Sequence, residues 1–214
     1  MPRKRRRREL SVFLNIPYDS DFENLYLAYI AGVSAFGLVP RATLEIPTSR
    51  RRLNRILSLI EACSYSIHDL SRVQLDRKTP RAPRFNMPFE LGLAVSQDTL
   101  HRRARWYVCE TMPHRVNKSL SDLDGTDVRI HSGTVRGLFA ALGDIFVRKH
   151  RQPSAQQMYR IYLVLRRNLP TIMREAGTTD PYRARVFRDL VLAAHAGSAL
   201  WRTRMGKPQA VSSR

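Results

Sequence analysis

The run SVFLNI, residues 11–16, constrains the fold most: it is short, apolar at nearly every position, ends in Pro17, and leads straight into a segment of helical periodicity. A strand that is apolar on both faces must be covered on both, which is how strands sit inside parallel sheets. In the segment that follows, DFENLYLAYIAGVSAFG, the residues Phe22, Leu25, Tyr26, Tyr29, Ile30 and Val33 recur at helical spacing. Asp19, Ser20 or Asp21 can cap its start, and Gly37 stops it. The pairing then repeats. LVPRATLEI (38–46) reads as a second strand, with Pro40 suited to a sheet edge. RRRLNRILSLIEACS follows, with Leu53, Ile56, Leu57 and Ile60 on one helical stripe. YSIHDLS (65–71) and RARWYVCE (103–110) are a third and a fourth strand, separated by the Pro-rich loop TPRAPRFNMP and a helix. A short strand over 128–131 precedes an amphipathic helix, TVRGLFAALGDIFVRKH.

Alternating strands and helices of this kind predict an α/β protein, a flavodoxin-like (Rossmann-like) open parallel sheet. After His150 only helical signals remain, in SAQQMYRIYLVLRRNLPTIMREAG, kinked or broken at Pro170, and DPYRARVFRDLVLAAHAGSALWRTR. The expected organisation is a disordered basic tail (1–10), an α/β nucleotide-binding domain (11–150), a helical C-terminal extension (151–205) and a disordered tail (206–214). A length of 214 residues suits one domain with appendages.

The net charge of +19 includes the block Arg3, Lys4, Arg5, Arg6, Arg7 and Arg8. Such a field favours anionic partners, with non-specific nucleic acid bound through the tail as one case. The opening MPRKRRRREL is too charged for a secretory signal, no run is long and apolar enough to span a bilayer, and Cys63 and Cys109 lack metal-like spacing. The expectation is a cytoplasmic protein without a membrane partner or metal. Neither GxGxxG nor GxxxxGK[ST] occurs, and no resident cofactor is expected. The histidines are scattered, with His68 read as a hydrogen-bonded core residue. A triad of Ser71, His68 and Asp69 is excluded, because neighbours on one strand point alternately. Apolar stripes on TVRGLFAALGDIF and VFRDLVLAAHAG would serve an oligomer or packing on the parent sheet equally well.

An open parallel sheet binds its ligand outside the carboxyl ends of its strands, where strand order reverses. With order 2-1-3-4-5, three stretches converge there: residues 15–19, 68–72 and 84–90. In the last, RFNMPFELGLAV, a helix starting at Met87 or Pro88 puts Glu90 in its first turn. A glutamate there can serve as a cap, yet neither Met87 nor Pro88 supplies the reciprocal acceptor of a capping box.

IHDLS followed by RFNMPFELGLA resembles the nucleoside 2-deoxyribosyltransferase-like group, itself similar to the TIR-like domains that cleave NAD. The resemblance covers roughly residues 11–110, with Glu90, Leu91, Gly92 and Ala94 on the helix motif and Asp69 on the upstream acid. It implies that Glu90 is the carboxylate at the N-glycosidic bond and that Asp69 positions the base or assists proton transfer. Where that group has Asp-x-Gly-Thr, this chain has Arg84, Phe85, Asn86, Met87 and Pro88.

A carboxylate suits this chemistry because breaking the bond at C1′ passes through an oxocarbenium-like centre, which it stabilises or captures. Asn15 and Asn86 offer amides to sugar hydroxyls, Tyr18 and Phe85 faces to a base, and Arg72 and Arg84 forks to a phosphate. The expected partner is thus a nucleoside, nucleotide or NAD. The alternatives are a non-catalytic nucleotide-binding sensor or signalling adaptor, and a nucleic-acid binder resting on charge alone.

Overall fold

A computed structural model describes residues 10–46, 52–73, 84–101, 105–148 and 152–205. Apart from Leu10, both predicted tails lie outside the described residues, as do residues 79–83 of the predicted loop 79–88. Five strands, β1 (Ser11–Asn15), β2 (Val39–Ala42), β3 (Tyr65–Asp69), β4 (Arg105–Glu110) and β5 (Val128–Ile130), form one sheet in the order β2-β1-β3-β4-β5. Every pairing is parallel, so the protein is a flavodoxin-like α/β fold. β2 lies at an edge, opposite Val12 at Pro40, where a residue without an N–H is tolerated. It ends earlier than the sequence suggests: residues Thr43–Glu45 turn into a 3-10 helix whose Glu45 carboxylate accepts the Ala42 N–H and pairs with Arg41.

Seven α-helices surround the sheet among the described residues: α1 (Glu23–Ala35), α2 (Arg52–Ala62), α3 (Asn86–His101), α4 (Arg115–Ser119), α5 (Val135–Ile145), α6 (Ala155–Glu175) and α7 (Ala184–Met205). Strand alternation decides which residues meet which helices. Val12, Leu14 and Ile67 pack with α1 and α5, whereas Phe13 points the other way, into Ile56, Leu59 and Ile60 of α2 and Ala94 of α3. Leu70 and Val108 join Met87 and Leu91 of α3 on that second face.

α1 is apolar all round rather than on one stripe, and the reason is position. From Leu25 to Ala35 every residue is buried, because the helix is enclosed by the sheet on one side and by α6 and α7 on the other. Gly32 lets the Leu142 side chain of α5 lie against it; a β-carbon there would overlap Leu142 Cδ1. Gly37 adopts φ 72°, and its N–H closes the helix onto the Ser34 carbonyl, as its sequence position predicts.

α6 begins with a reciprocal cap: Gln157 N–H donates to Ser154 Oγ while the Ser154 N–H donates to Gln157 Oε1. Of the kink or break expected at Pro170, the break does not occur: the helix runs through it to Glu175. Pro170 is exposed, so water can serve the carbonyl its ring leaves free, while Leu165 and Leu169 before it and Ile172 and Met173 after it pack into the core. No helix among the described residues is long and apolar enough to cross a membrane.

Candidate functional site

Each strand of this sheet except edge strand β2 ends in, or is directly followed by, a polar residue at the carboxyl edge. Asn15 ends β1, Asp69 β3 and Glu110 β4, while His131 follows β5; all four side chains are buried. Burial of that much polarity is tolerable only where the groups bond one another or await a ligand.

Asp69 belongs to the first case. Its Oδ2 accepts the Tyr29 hydroxyl at 2.7 Å and the His131 Nε2–H at 3.0 Å, and its Oδ1 accepts the Ser71 N–H at 2.9 Å. The Gly133 N–H donates to His131 Nδ1, which fixes the ring proton on Nε2, facing Asp69; Ser71 Oγ lies 3.1 Å from the same nitrogen. With both contacts made through one nitrogen, this is a tautomer-locked clamp and not a relay from serine through histidine to acid. Ser132 and Gly133 take positive φ to make the turn, and Gly137 of α5 comes so close to the His131 carbonyl that a β-carbon would collide with it. Glu110 is closed in the same way: its carboxylate pairs with Arg115, whose guanidinium also donates to the Ser71 carbonyl at 2.7 Å.

Glu90 differs from both. It lies on the inner stripe of α3 with Met87, Leu91 and Ala94 and is only 7% exposed. No donor among the described residues bonds its carboxyl. Burial pushes its pKa up to about 7, against the partial pull of the Arg52 guanidinium. Glu90 also acts on Tyr18: burial, reinforced by the charges of Glu90 and Glu45, holds that phenol well above its usual range. Helix α3 begins at Asn86, one residue before the predicted start, so its first turn contains no acid. Glu90 therefore cannot be a capping-box partner.

The expectation that Asp69 and Glu90 line one hollow is not met. Asp69 turns towards Tyr29 of α1, whereas α3 packs on the opposite face of the sheet. The alternation that puts Ile67 and Asp69 on one side puts Ser66, His68 and Leu70 on the other.

The other predicted residues separate by what they bond. Asn15 Nδ2 donates to the Met87 carbonyl at 2.8 Å and reaches His68 Nδ1 at 3.0 Å, tying β1 and β3 to the first turn of α3. His68 is a core residue, as read from the sequence; burial depresses its pKa to about 3, and its Nε2 finds no partner among the described residues. Arg72 and Arg84 are both engaged by Asp19, at 3.3 Å and 2.7 Å, and Arg72 also by Asp21 at 3.1 Å. Tyr18 is half-buried, its hydroxyl 3.4 Å from the Leu14 carbonyl and its ring against Tyr26 and Tyr182. Asn86 and Phe85 are exposed, Phe85 by 68%, at the start of α3.

Sequence reasoning missed Tyr29, Glu110, Arg115, His131 and Tyr182. Tyr182, between α6 and α7, donates its hydroxyl to the Asp19 carbonyl and so fastens the helical extension to the loop after β1. The available signal was the polar residue closing each apolar strand, which marks Glu110 and His131 as surely as Asn15 and Asp69. Among the described residues no group of His, Cys, Asp and Glu side chains is placed to hold a metal ion.

No protein-family model matches the chain, and neither a curated protein nor a solved structure matches it.

Proposed function

We propose that the protein binds a nucleoside, nucleotide or NAD beside the carboxyl ends of β1 and β3 and cleaves or transfers its N-glycosidic bond through Glu90. One observation carries the reading: a glutamate only 7% exposed, with no hydrogen-bond donor to its carboxyl among the described residues and a pKa pushed up to about 7 by burial, at the switch point of an open parallel sheet. A carboxyl built only for stability would be partnered as Asp69 is, because an unbonded buried acid lowers stability. In its ionised form Glu90 stabilises positive charge developing at C1′, or bonds to it until water or a second nucleoside displaces it. Nicotinamide departs from NAD as a neutral molecule, whereas a purine or pyrimidine must gain a proton. Asp69, with its three donors and its opposite orientation, does not supply that proton, which makes NAD the substrate best suited to a single carboxylate.

The same closure of Asp69 favours a second reading, a sensor that holds a nucleotide without cleaving it. Incubating the protein with NAD and a panel of nucleosides, and following base release by chromatography alongside Glu90→Gln, separates the two. Release abolished by the substitution supports the enzyme. Calorimetric binding without release supports the sensor, and neither binding nor release sinks both.

A further inference from the structure

The arginines whose side chains are described in α6, at the start of α7 and just before it fall into two groups. Those opening α7 have carboxylates beside them: Arg183 lies 3.5 Å from Asp180, Arg185 3.8 Å and Arg188 3.3 Å from Asp189. Those of α6 do not. Arg160, Arg166, Arg167 and Arg174 are all exposed, and none forms an ion pair among the described residues. Glu175 at the helix end and Glu23 of α1 pair with none of them. Arg174 makes only a long bond to the Thr171 hydroxyl, 3.4 Å, and Arg166 lies beside the Tyr162 phenol.

Arg160, Arg167 and Arg174 are spaced by seven residues, so they share one face at steps of about 10.5 Å and form a ridge about 21 Å long. Tyr159 stands beside the first of them, 40% exposed, its ring 5.6 Å from that of Tyr162. Leu163 and Val164 are the apolar residues exposed next along the helix. The opposite face of α6 is buried through Met158, Ile161, Tyr162, Leu165 and Leu169. The helix therefore cannot roll over to sink an apolar side into a lipid surface.

We propose that the outer face of α6 binds single-stranded nucleic acid, the arginine ridge following the phosphates and Tyr159 offering a surface on which a base stacks. Charge complementarity argues for the partner: unpaired arginines are attracted to successive phosphates and make forked bonds to them, at no cost in broken ion pairs. An exposed aromatic ring next to such a ridge is the pairing by which proteins hold single strands without reading sequence. The surface lies outside the crevice of Glu90, and the proposal does not depend on that residue's role.

The test is fluorescence anisotropy with an oligothymidylate of about 20 nucleotides over a salt series. The probe is titrated with the full chain, with R160A/R167A/R174A, and with both again after Arg3 and Arg5 to Arg8 are changed to serine. Loss of three phosphate contacts should weaken binding about tenfold or more near physiological salt and flatten the log–log salt slope by about 2. This loss should persist in the chains with the neutralised tail. Tyr159→Ala should cost several-fold with the salt slope unchanged, and Tyr159→Phe should restore it. Unchanged affinity in the triple variant overturns the proposal, as does binding that vanishes with the tail alone. Loss of binding to phosphatidylserine vesicles without loss of oligonucleotide binding overturns it too. Circular dichroism confirms that the exposed substitutions leave the fold intact.

Discussion

The two faces of the sheet treat a buried carboxyl in opposite ways. On the α1 face, Asp69 is fully buried and accepts three donors, from Tyr29, His131 and Ser71. On the α3 face, Glu90 is nearly as buried and accepts none among the described residues, and its pKa rises to about 7. Both are carboxylic acids at similar depth, so the environment makes the difference: one acid fixes the carboxyl edges of β3 and β5, and the other has no hydrogen-bond donor among the described residues. Partners rather than burial distinguish a structural acid from a poised one.

The largest expected effect is at Asp69. Asp69→Ala strands the Tyr29 hydroxyl, the His131 N–H and the Ser71 N–H in the interior, and should cost about 3–5 kcal/mol in denaturant unfolding. A loss below about 1 kcal/mol would break the comparison.

Glu90→Gln should do the reverse and stabilise the protein above neutral pH. The folded-state pKa of Glu90 lies above its ordinary value of 4.5, so the folded chain holds the proton more tightly. The wild type is therefore unpenalised below about pH 4.5, loses about 1.4 kcal/mol per unit as pH rises towards 7, and levels off beyond it. The difference between wild type and Glu90→Gln, read from urea melts between pH 4 and 8, should grow to about 3 kcal/mol in favour of the variant. A pH-independent difference would mean that the carboxyl is solvated. If the proposed cleavage runs through Glu90, its rate should rise as Glu90 ionises, with half its maximum near pH 7.

Glycine substitutions sharpen the contrast further. Gly137→Ala drives a β-carbon into the His131 carbonyl, a backbone atom of the Asp69 clamp, and should cost about 2–3 kcal/mol by thermal or denaturant unfolding. Gly32→Ala meets only the end of the flexible Leu142 side chain and gains helix propensity, so the net change should stay within about 1 kcal/mol. The smallest effect is at the rim. Arg84→Ala removes a part-exposed pair with Asp19 and should change stability by less than about 1 kcal/mol. Measured nucleotide affinity then shows whether Arg84 leaves Asp19 for a phosphate: a marked drop means that it does.

Much of the fold could be read from the chain because the governing patterns are local. The SVFLN, YSIHD and RWYVCE parts of the first, third and fourth strand segments are strands, and the stripes of Leu53, Ile56 and Ile60 and of TVRGLFAALGDIF are helices, because periodicity and caps act over a few residues. The short β5 was legible from Val128 onward, and α4 was not, since RVNKS has no amphipathic repeat of its own. Pro170 does not end the helix, because a local rule about a missing N–H is outweighed by packing on both sides of it.

The candidate site was legible only in part. Glu90 stands out by residue type in an apolar helix, and Asn15 and Asp69 by closing apolar strands. That Asn15 bonds Met87, that Arg72 and Arg84 both pair with Asp19, and that His131 reaches Asp69 depends on contacts between residues 53 to 72 positions apart.

By itself the sequence determined the α/β succession and the parallel sheet with its polar carboxyl edge, because hydrophobic period and turn chemistry are written in neighbouring residues. Only the tertiary structure decided which acid is satisfied and which is not. Strand alternation sends Asp69 towards α1 while α3 carries Glu90 to the far side of the sheet, and a carboxyl's state depends on the donors that folding brings to it.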